Sequence, residues 1–432
     1  LTLFPRTATV AGNHLIIGGC DTVDLAGEFG TPLYVFDETT LRQRCADYRD
    51  GFNKRYPDSL VCYACKAFIN RALARIFDEE GLGLDVVSGG ELAIARSAGF
   101  PMGRVYFNGN NKSRDELEAA IGSGVGCIVV DSFHELKMLG DIVPGSSSEK
   151  PLKILIRISP GIDPHTHAHL KTGLVDSKFG FPLPHAEKAI VEAMATPGLD
   201  LAGLHYHIGS QILDLAPFGQ AAGLVLDFAA DMASKHVFEL KELSIGGGLG
   251  IAYSEGQQPP AVDAFAETIA GIITTKCGEF GIRPPRLVVE PGRSVVGQAG
   301  VVLYTVGAAK EIEGVRKYVS VDGGMGDNIR PALYGAEYDA VVASNVEGAN
   351  SERVTLAGKF CESGDILIRD VELPALSPGD IIALPCCGAY CLSLASNYNS
   401  SPRPAIVLVG DGAARLIRRR ETYEDLMRCD LV

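Results

Sequence analysis

Val61-Cys62-Tyr63-Ala64-Cys65-Lys66-Ala67 ends an apolar run on a lysine. A helical stretch at 70–80 and a second apolar run at 84–87 follow directly. Strand, helix and strand at this spacing require a right-handed parallel crossover. The same unit repeats outward in both directions. Runs at 33–36, 61–65, 84–87, 105–108, 127–130, 154–158, 201–205, 242–245 and 286–289 read as strands. Amphipathic helical patterns at 89–98, 113–123, 185–196 and 261–280 fall between them. About eight such units in roughly 250 residues predict an α/β fold, a (β/α)8 TIM-like barrel over 34–287. An open doubly wound sheet is the alternative, because closure leaves no mark in a sequence.

Beyond residue 287 the texture changes. Runs at 301–306, 317–321, 353–357, 366–370, 381–384 and 405–409 are short, β-rich and separated by Gly, Pro and Asp. They predict a second, mostly antiparallel β domain from 288–432, joined by residues 1–33, where 13–17 reads as a strand. No internal repeat or low-complexity linker interrupts the chain, and 145–148 is a short loop.

The chain has 432 residues, 46% of them hydrophobic, which suits two domains with large cores. Its net charge of −14 argues against a nucleic-acid partner. No stretch of about 18 apolar residues predicts a membrane span. Residues 1–19 lack the marks of a secretory signal, and the chain opens on Leu1 rather than Met, which fits a trimmed leader. Eleven scattered cysteines fit reduced thiols in a cytoplasmic compartment, or in a plastid stroma, better than a disulfide framework. Cys62-x-x-Cys65 has no second pair at zinc spacing and reads as ordinary strand cysteine.

Barrel enzymes gather their chemistry where strands end, so polar residues there carry the most weight. Lys66 at a barrel mouth is costly unless paired or covalently used. Gly246-Gly247-Gly248-Leu249-Gly250 follows the 242–245 strand; its backbone could cradle a phosphate or simply make a tight turn. Glu290-Pro291-Gly292-Arg293 offers an acid and an arginine after the 286–289 strand. His205 and His207 point the same way, but zinc needs a third ligand. Ring stacking or a core hydrogen bond is the other reading, and no metal is assigned. His165, His167 and His169 sit in a loop and read as solvated or substrate-loop residues.

In their order, residues 63–68, 203–211, 246–250 and 290–293 resemble the fold-type III pyridoxal-phosphate decarboxylases, the alanine-racemase-like barrel family. Met325, Ile329-Arg330-Pro331-Ala332-Leu333-Tyr334, Cys361-Glu362-Ser363-Gly364-Asp365 and Gly388-Ala389-Tyr390 resemble its branch acting on meso-2,6-diaminopimelate. The resemblance implies that Lys66 forms a Schiff base with pyridoxal 5′-phosphate. It implies that Glu290 holds the pyridine nitrogen and that His207 stacks on the ring. Ser210, Gly247, Gly248, Gly292, Arg293 and Tyr390 would hold the phosphate, and Asp85 would lie nearby. Arg293, Arg330, Tyr334 and Tyr390 would serve a substrate carboxylate, and Glu362 a distal ammonium. Cys361 would give the proton that replaces CO2. In the family the Cys-Glu loop reaches the neighbouring subunit, so a homodimer with shared sites is implied.

Two departures stand out: Tyr206 replaces a common cysteine, and the loop at 163–170 is histidine-rich. The rivals are a decarboxylase of ornithine, arginine, carboxynorspermidine or a carrier-linked amino acid, and a PLP-binding regulator. The regulator usually loses the lysine or the cysteine, and both are present. A racemase of the alanine type would place an arginine where Glu290 stands.

Overall fold

The structure, a computed structural model, describes residues 1–145, 150–162 and 177–431. The histidine-bearing loop at 163–170 lies outside the described residues, as do residues 146–148 of the short loop. The chain forms two compact units. One comprises Cys45–Gly250 and Pro259–Gly292; the other comprises Leu1–Arg44, Ile251–Gln258 and Arg293–Val432.

In the first unit eight parallel strands close on themselves. They are Ser59–Ala64, Gly83–Val86, Val105–Phe107, Cys127–Val130, Leu152–Ser159, Leu199–His205, Glu242–Ser244 and Arg286–Val289. The eighth pairs with the first, Val289 beside Val61, which completes the barrel. Every crossover carries a helix: Arg71–Glu79, Gly89–Ala98, Arg114–Ser123, Phe133–Ile142, Leu183–Ala195, Ala216–Lys235 and Val262–Phe280. Asn70, Ser88, Ser113 and Ser132 cap the first four, each accepting from the N–H three residues on. These caps satisfy orphan helix donors and fix where each strand-end loop stops. Cys62, Tyr106, Cys127, Val129, Leu155, Ala202 and Val288 fill the barrel interior, so it is a packed core and chemistry is confined to its mouth.

The second unit is built on a mixed sheet in the order Ile366–Leu373, Glu352–Ala357, Arg316–Val321, Gly300–Ile312, Leu33–Asp37, Ala405–Gly410, Ala413–Arg418. Most neighbours are antiparallel; Arg316–Val321 with Glu352–Ala357 and Leu33–Asp37 with Ala405–Gly410 are parallel. The N-terminal strands Thr9–Ala11, His14–Ile17 and Cys20–Asp21 form a small meander, and Leu15 and Ile17 join the core of Val301, Leu303 and Val407.

The run at 33–36, expected as the opening barrel strand, lies instead in this second sheet. It is hydrogen-bonded to Gly300–Ile312 on one side and Ala405–Gly410 on the other. All five residues of Leu33–Asp37 are buried. A strand covered on both faces reads as one continuous apolar run, whether it lies in a parallel barrel or at the centre of a mixed sheet. The first unit accordingly begins at Cys45 rather than at 34.

Candidate active site

Closure of the barrel brings the turn after the first strand against the turn after the eighth. Ala64 N–H donates to the Pro291 carbonyl at 2.9 Å. A Cβ on Gly292 would lie 3.1 Å from the Cβ atoms of both Ala64 and Ala67, so a glycine lets the two turns meet. Lys66, in the 3-10 turn Cys65–Ala67, and Glu290 thereby face one cavity of about 580 Å³. Asp85, Asn108, Arg157, His205 and His207 also line it.

Glu290 is 6% exposed. One carboxylate oxygen accepts from Ser244 Oγ at 2.7 Å, and the other meets His205 Nε2 at 3.0 Å. Burial alone would raise this carboxyl, but His205, Ser244 and nearby Lys66 outweigh it and hold the group down at about 2. Burial pushes His205 below its ordinary value. We therefore read it as a neutral ring that donates Nε2–H to the carboxylate. His207 is lowered further, by burial and then by Lys66 and Arg157. Asp85 moves the opposite way to Glu290. Burial and the Glu290 charge raise it to about 8 against the pull of Lys66 and of Asn108. Two acids in one cavity with opposed shifts make this mouth the candidate site for chemistry.

The glycine turn Gly246–Gly250 is required by packing. A Cβ on Gly247 would fall 2.1 Å from the Glu290 carbonyl oxygen, and one on Gly248 would fall 2.5 Å from that of Gly209. Its backbone is stitched to the neighbouring loop by Ile212 N–H to Gly248 O at 3.0 Å and Gly250 N–H to Ile212 O at 2.9 Å. Gly247 N–H is directed at His207 Nδ1 at 3.3 Å. Ser210 is exposed at the head of this loop.

The remaining expected residues lie in the second unit. Arg293 donates to Tyr253 Oη at 2.6 Å and sits 4.7 Å over the Tyr390 ring. Arg330 is buried, donates to the Tyr338 hydroxyl and lies 4.5 Å over the Tyr253 ring. Tyr334 is 65% exposed. Cys361 and Glu362 are exposed on a loop folded around buried Asp365, whose carboxylate accepts from Met325 N–H at 2.6 Å and Phe360 N–H at 2.8 Å. Sequence reasoning missed Asn108, Ser244, Arg157, Tyr253 and Tyr338. Asn108 follows an apolar run as Lys66 does, and that position was the available signal. Ser244 lies inside a strand and offered none.

The barrel-mouth residues fit pyridoxal phosphate by their chemistry. They supply a primary amine to condense with an aldehyde, a carboxylate held ionised for a protonated ring nitrogen, and buried acceptor-capable atoms at His205 Nδ1 and Asn108 Oδ1 without a protein partner. A lysine and an ionised acid facing one cavity at the mouth of a closed (β/α)8 barrel are what a pyridoxal-phosphate enzyme requires. Residues 39–297 match the family described as pyridoxal-dependent decarboxylase, pyridoxal binding domain. Over 97% of its length the chain is 46% identical to the diaminopimelate decarboxylase of Bacillus subtilis, covering 95% of that protein. It is 45% identical to the diaminopimelate decarboxylase of Synechocystis, covering 99% of this chain and 92% of that one. The crystal structure of diaminopimelate decarboxylase from M. jannaschii in co-complex with L-lysine superposes with a TM-score of 0.93 at 36% identity, covering 99% of this chain and 98% of that one. The chain belongs to the diaminopimelate decarboxylase family. No helix among the described residues is long and apolar enough to cross a membrane.

Proposed function

We infer that the chain decarboxylates meso-2,6-diaminopimelate to L-lysine and CO2 with pyridoxal 5′-phosphate, the last step of lysine biosynthesis. The observation that carries the chemistry is the Glu290 carboxylate, buried and held ionised in the cavity that Lys66 faces. The substrate follows from identity across nearly the whole chain to diaminopimelate decarboxylases, one of whose structures holds L-lysine, the product of this reaction.

When bound, the cofactor supplies an electron sink for the pair released as the carboxylate leaves. Lys66 is the tether, since a lysine amine relieved of its proton attacks an aldehyde. Glu290 would keep a proton on the ring nitrogen, and His207, whose charged form burial disfavours, would stack against the ring. Asp85 stands beside them. Ser210, Gly247, Gly248, Gly292, Arg293 and Tyr390 serve the phosphate. Arg330 with Arg293, Tyr334 and Tyr390 receives a substrate carboxylate, and Glu362 the distal ammonium. Cys361 Sγ would supply the proton that replaces CO2, one proton entering for each CO2 that departs. Because Cys361 and Glu362 are exposed in the single chain, we assign them to the site of a second copy, in a homodimer. Among the described residues no cysteine is in a disulfide, which suits a reducing compartment, cytoplasm or plastid stroma.

The test is CO2 release and L-lysine formation from meso-diaminopimelate with pyridoxal phosphate added, run beside ornithine, arginine and carboxynorspermidine. Lysine from diaminopimelate alone is the expected result. Turnover of one of the other amino acids in its place would overturn the substrate and leave the cofactor site standing.

A further inference from the structure

The second unit holds a buried cation that no acid meets among the described residues. Arg330 opens the helix Arg330–Tyr334 and is 6% exposed. Its partners are the Tyr338 hydroxyl and two ring faces, Tyr253 at 4.5 Å and Tyr338 at 5.3 Å. Among the described residues no carboxylate pairs with it. Tyr253 ties a second arginine to the same group through the 2.6 Å bond from Arg293 Nη1. The two tyrosines brace each other edge to face, with centroids 5.7 Å apart and planes at 86°.

We propose that Tyr253 and Tyr338 are positioning residues that hold Arg330 and Arg293 as a preformed receptor for the substrate's carboxylate. The proposal rests on the dicarboxylic substrate inferred above. A guanidinium inside a protein needs stabilising, and an acid is the common means. An acid here would compete with the substrate for the same N–H groups. Ring faces and phenol oxygens stabilise the cation without cancelling its charge, and the planar fork remains able to grip a carboxylate. Tyr253 suits this task because burial raises its hydroxyl to about 12 against the pull of the two arginines, so it stays a neutral acceptor. Tyr253 also lies in Ile251–Gln258, the short segment that leaves the barrel sequence to join the second unit. That placement gives a structural reason for the excursion.

The experiment compares holoenzyme with Tyr253→Leu, Tyr253→Phe and Tyr338→Phe. The readouts are kcat and KM for meso-diaminopimelate, inhibition by pimelate, and cofactor affinity from the visible absorbance. Tyr253→Leu should raise KM and the pimelate inhibition constant about tenfold, with kcat within about twofold and, since Arg293 also serves the phosphate, at most about a twofold fall in cofactor affinity. Tyr253→Phe keeps the ring and loses the acceptor, so about threefold is expected in both constants, and Tyr338→Phe should behave likewise. Unchanged KM and pimelate inhibition, or a fall in cofactor affinity in step with them, would overturn the proposal. Should Tyr253→Leu not fold, the two phenylalanine variants decide by the same criteria. A wild type that binds pimelate but does not turn over diaminopimelate would remove the substrate reading alone. The variants' effect on pimelate binding would still judge the receptor.

Discussion

Asn108 Nδ2 donates a 2.6 Å hydrogen bond to Asp85 Oδ1, joining two buried side chains at the ends of neighbouring barrel strands. Burial and the Glu290 charge still raise Asp85 to about 8. In the cofactor-free protein this acid therefore keeps its proton at neutral pH, whereas in the unfolded chain it loses it near pH 4. Between those values the native state binds the extra proton, so this group makes stability fall as pH rises. Asp85→Asn removes the slope. Relative to wild type, the variant should gain on the order of 2 kcal/mol between pH 5 and pH 8. Urea midpoints at the two pH values measure this, and parallel pH profiles would mean that Asp85 is ionised in the native state.

Glu290 has the opposite sign, and the proposed chemistry depends on its charge. On that proposal, a neutral amide in its place would remove what holds a proton on the cofactor's ring nitrogen. Glu290→Gln should lose about 10²-fold or more in kcat while retaining bound cofactor. Ser244→Ala removes one hydrogen bond to the carboxylate and leaves His205 in place, so about a tenfold loss is expected. Steady-state rates with the cofactor absorbance recorded on the same samples separate lost chemistry from lost binding. Equal losses in the two variants would mean that Ser244 acts on more than Glu290.

How much of this was legible depends on what closure contributes. Lys66 and Glu290 each end an apolar run, so a barrel hypothesis was enough to mark them. Ser244 and His205 come from other strands, and only the closed barrel brings them to the same carboxylate. Leu33–Asp37 was misplaced because its partners, Gly300–Ile312 and Ala405–Gly410, are more than 260 residues away in sequence. Its own burial gives no hint of them. Arg330 could be named from its motif, but the tyrosines around it could not. Tyr253 sits in an irregular segment, and Tyr338 in a stretch without periodicity.

Lys112 offers a test of how the strand-end loops are held. Its side chain is 1% exposed, and its ammonium donates to Glu135 at 2.6 Å and to the carbonyls of Gly109 and Val129 at 2.8 Å each. The other Glu135 oxygen accepts from Asp131 N–H at 3.0 Å. Lys112→Met would leave that acid buried and unpaired, at a cost of about 3–5 kcal/mol. Adding Glu135→Leu should recover most of it, because the pair's net worth is smaller than the penalty for breaking it. Urea denaturation of the two single variants and the double variant gives the comparison. A double variant no more stable than Lys112→Met would show that the carbonyl contacts hold the loop.

The proposed shared-site homodimer makes a prediction that a self-contained chain cannot satisfy. Lys66→Ala should lose the cofactor's visible absorbance and its activity together, because the proposed tether is gone. Cys361→Ala should keep the absorbance and lose about 10²-fold or more in kcat, because the proposed proton donor is gone. If Cys361 serves the partner's barrel, a mixed dimer of the two variants pairs one intact Lys66 with one intact Cys361 in a single site. Its other site lacks both. Random re-pairing makes half of the dimers mixed, so activity should recover to about a quarter of wild type after co-expression or denature-and-refold mixing. If each chain instead used its own Cys361, every site in every dimer would lack one group and no activity would return. The mixing experiment thus decides whether the exposure of Cys361 marks an idle loop or half of a neighbour's active site.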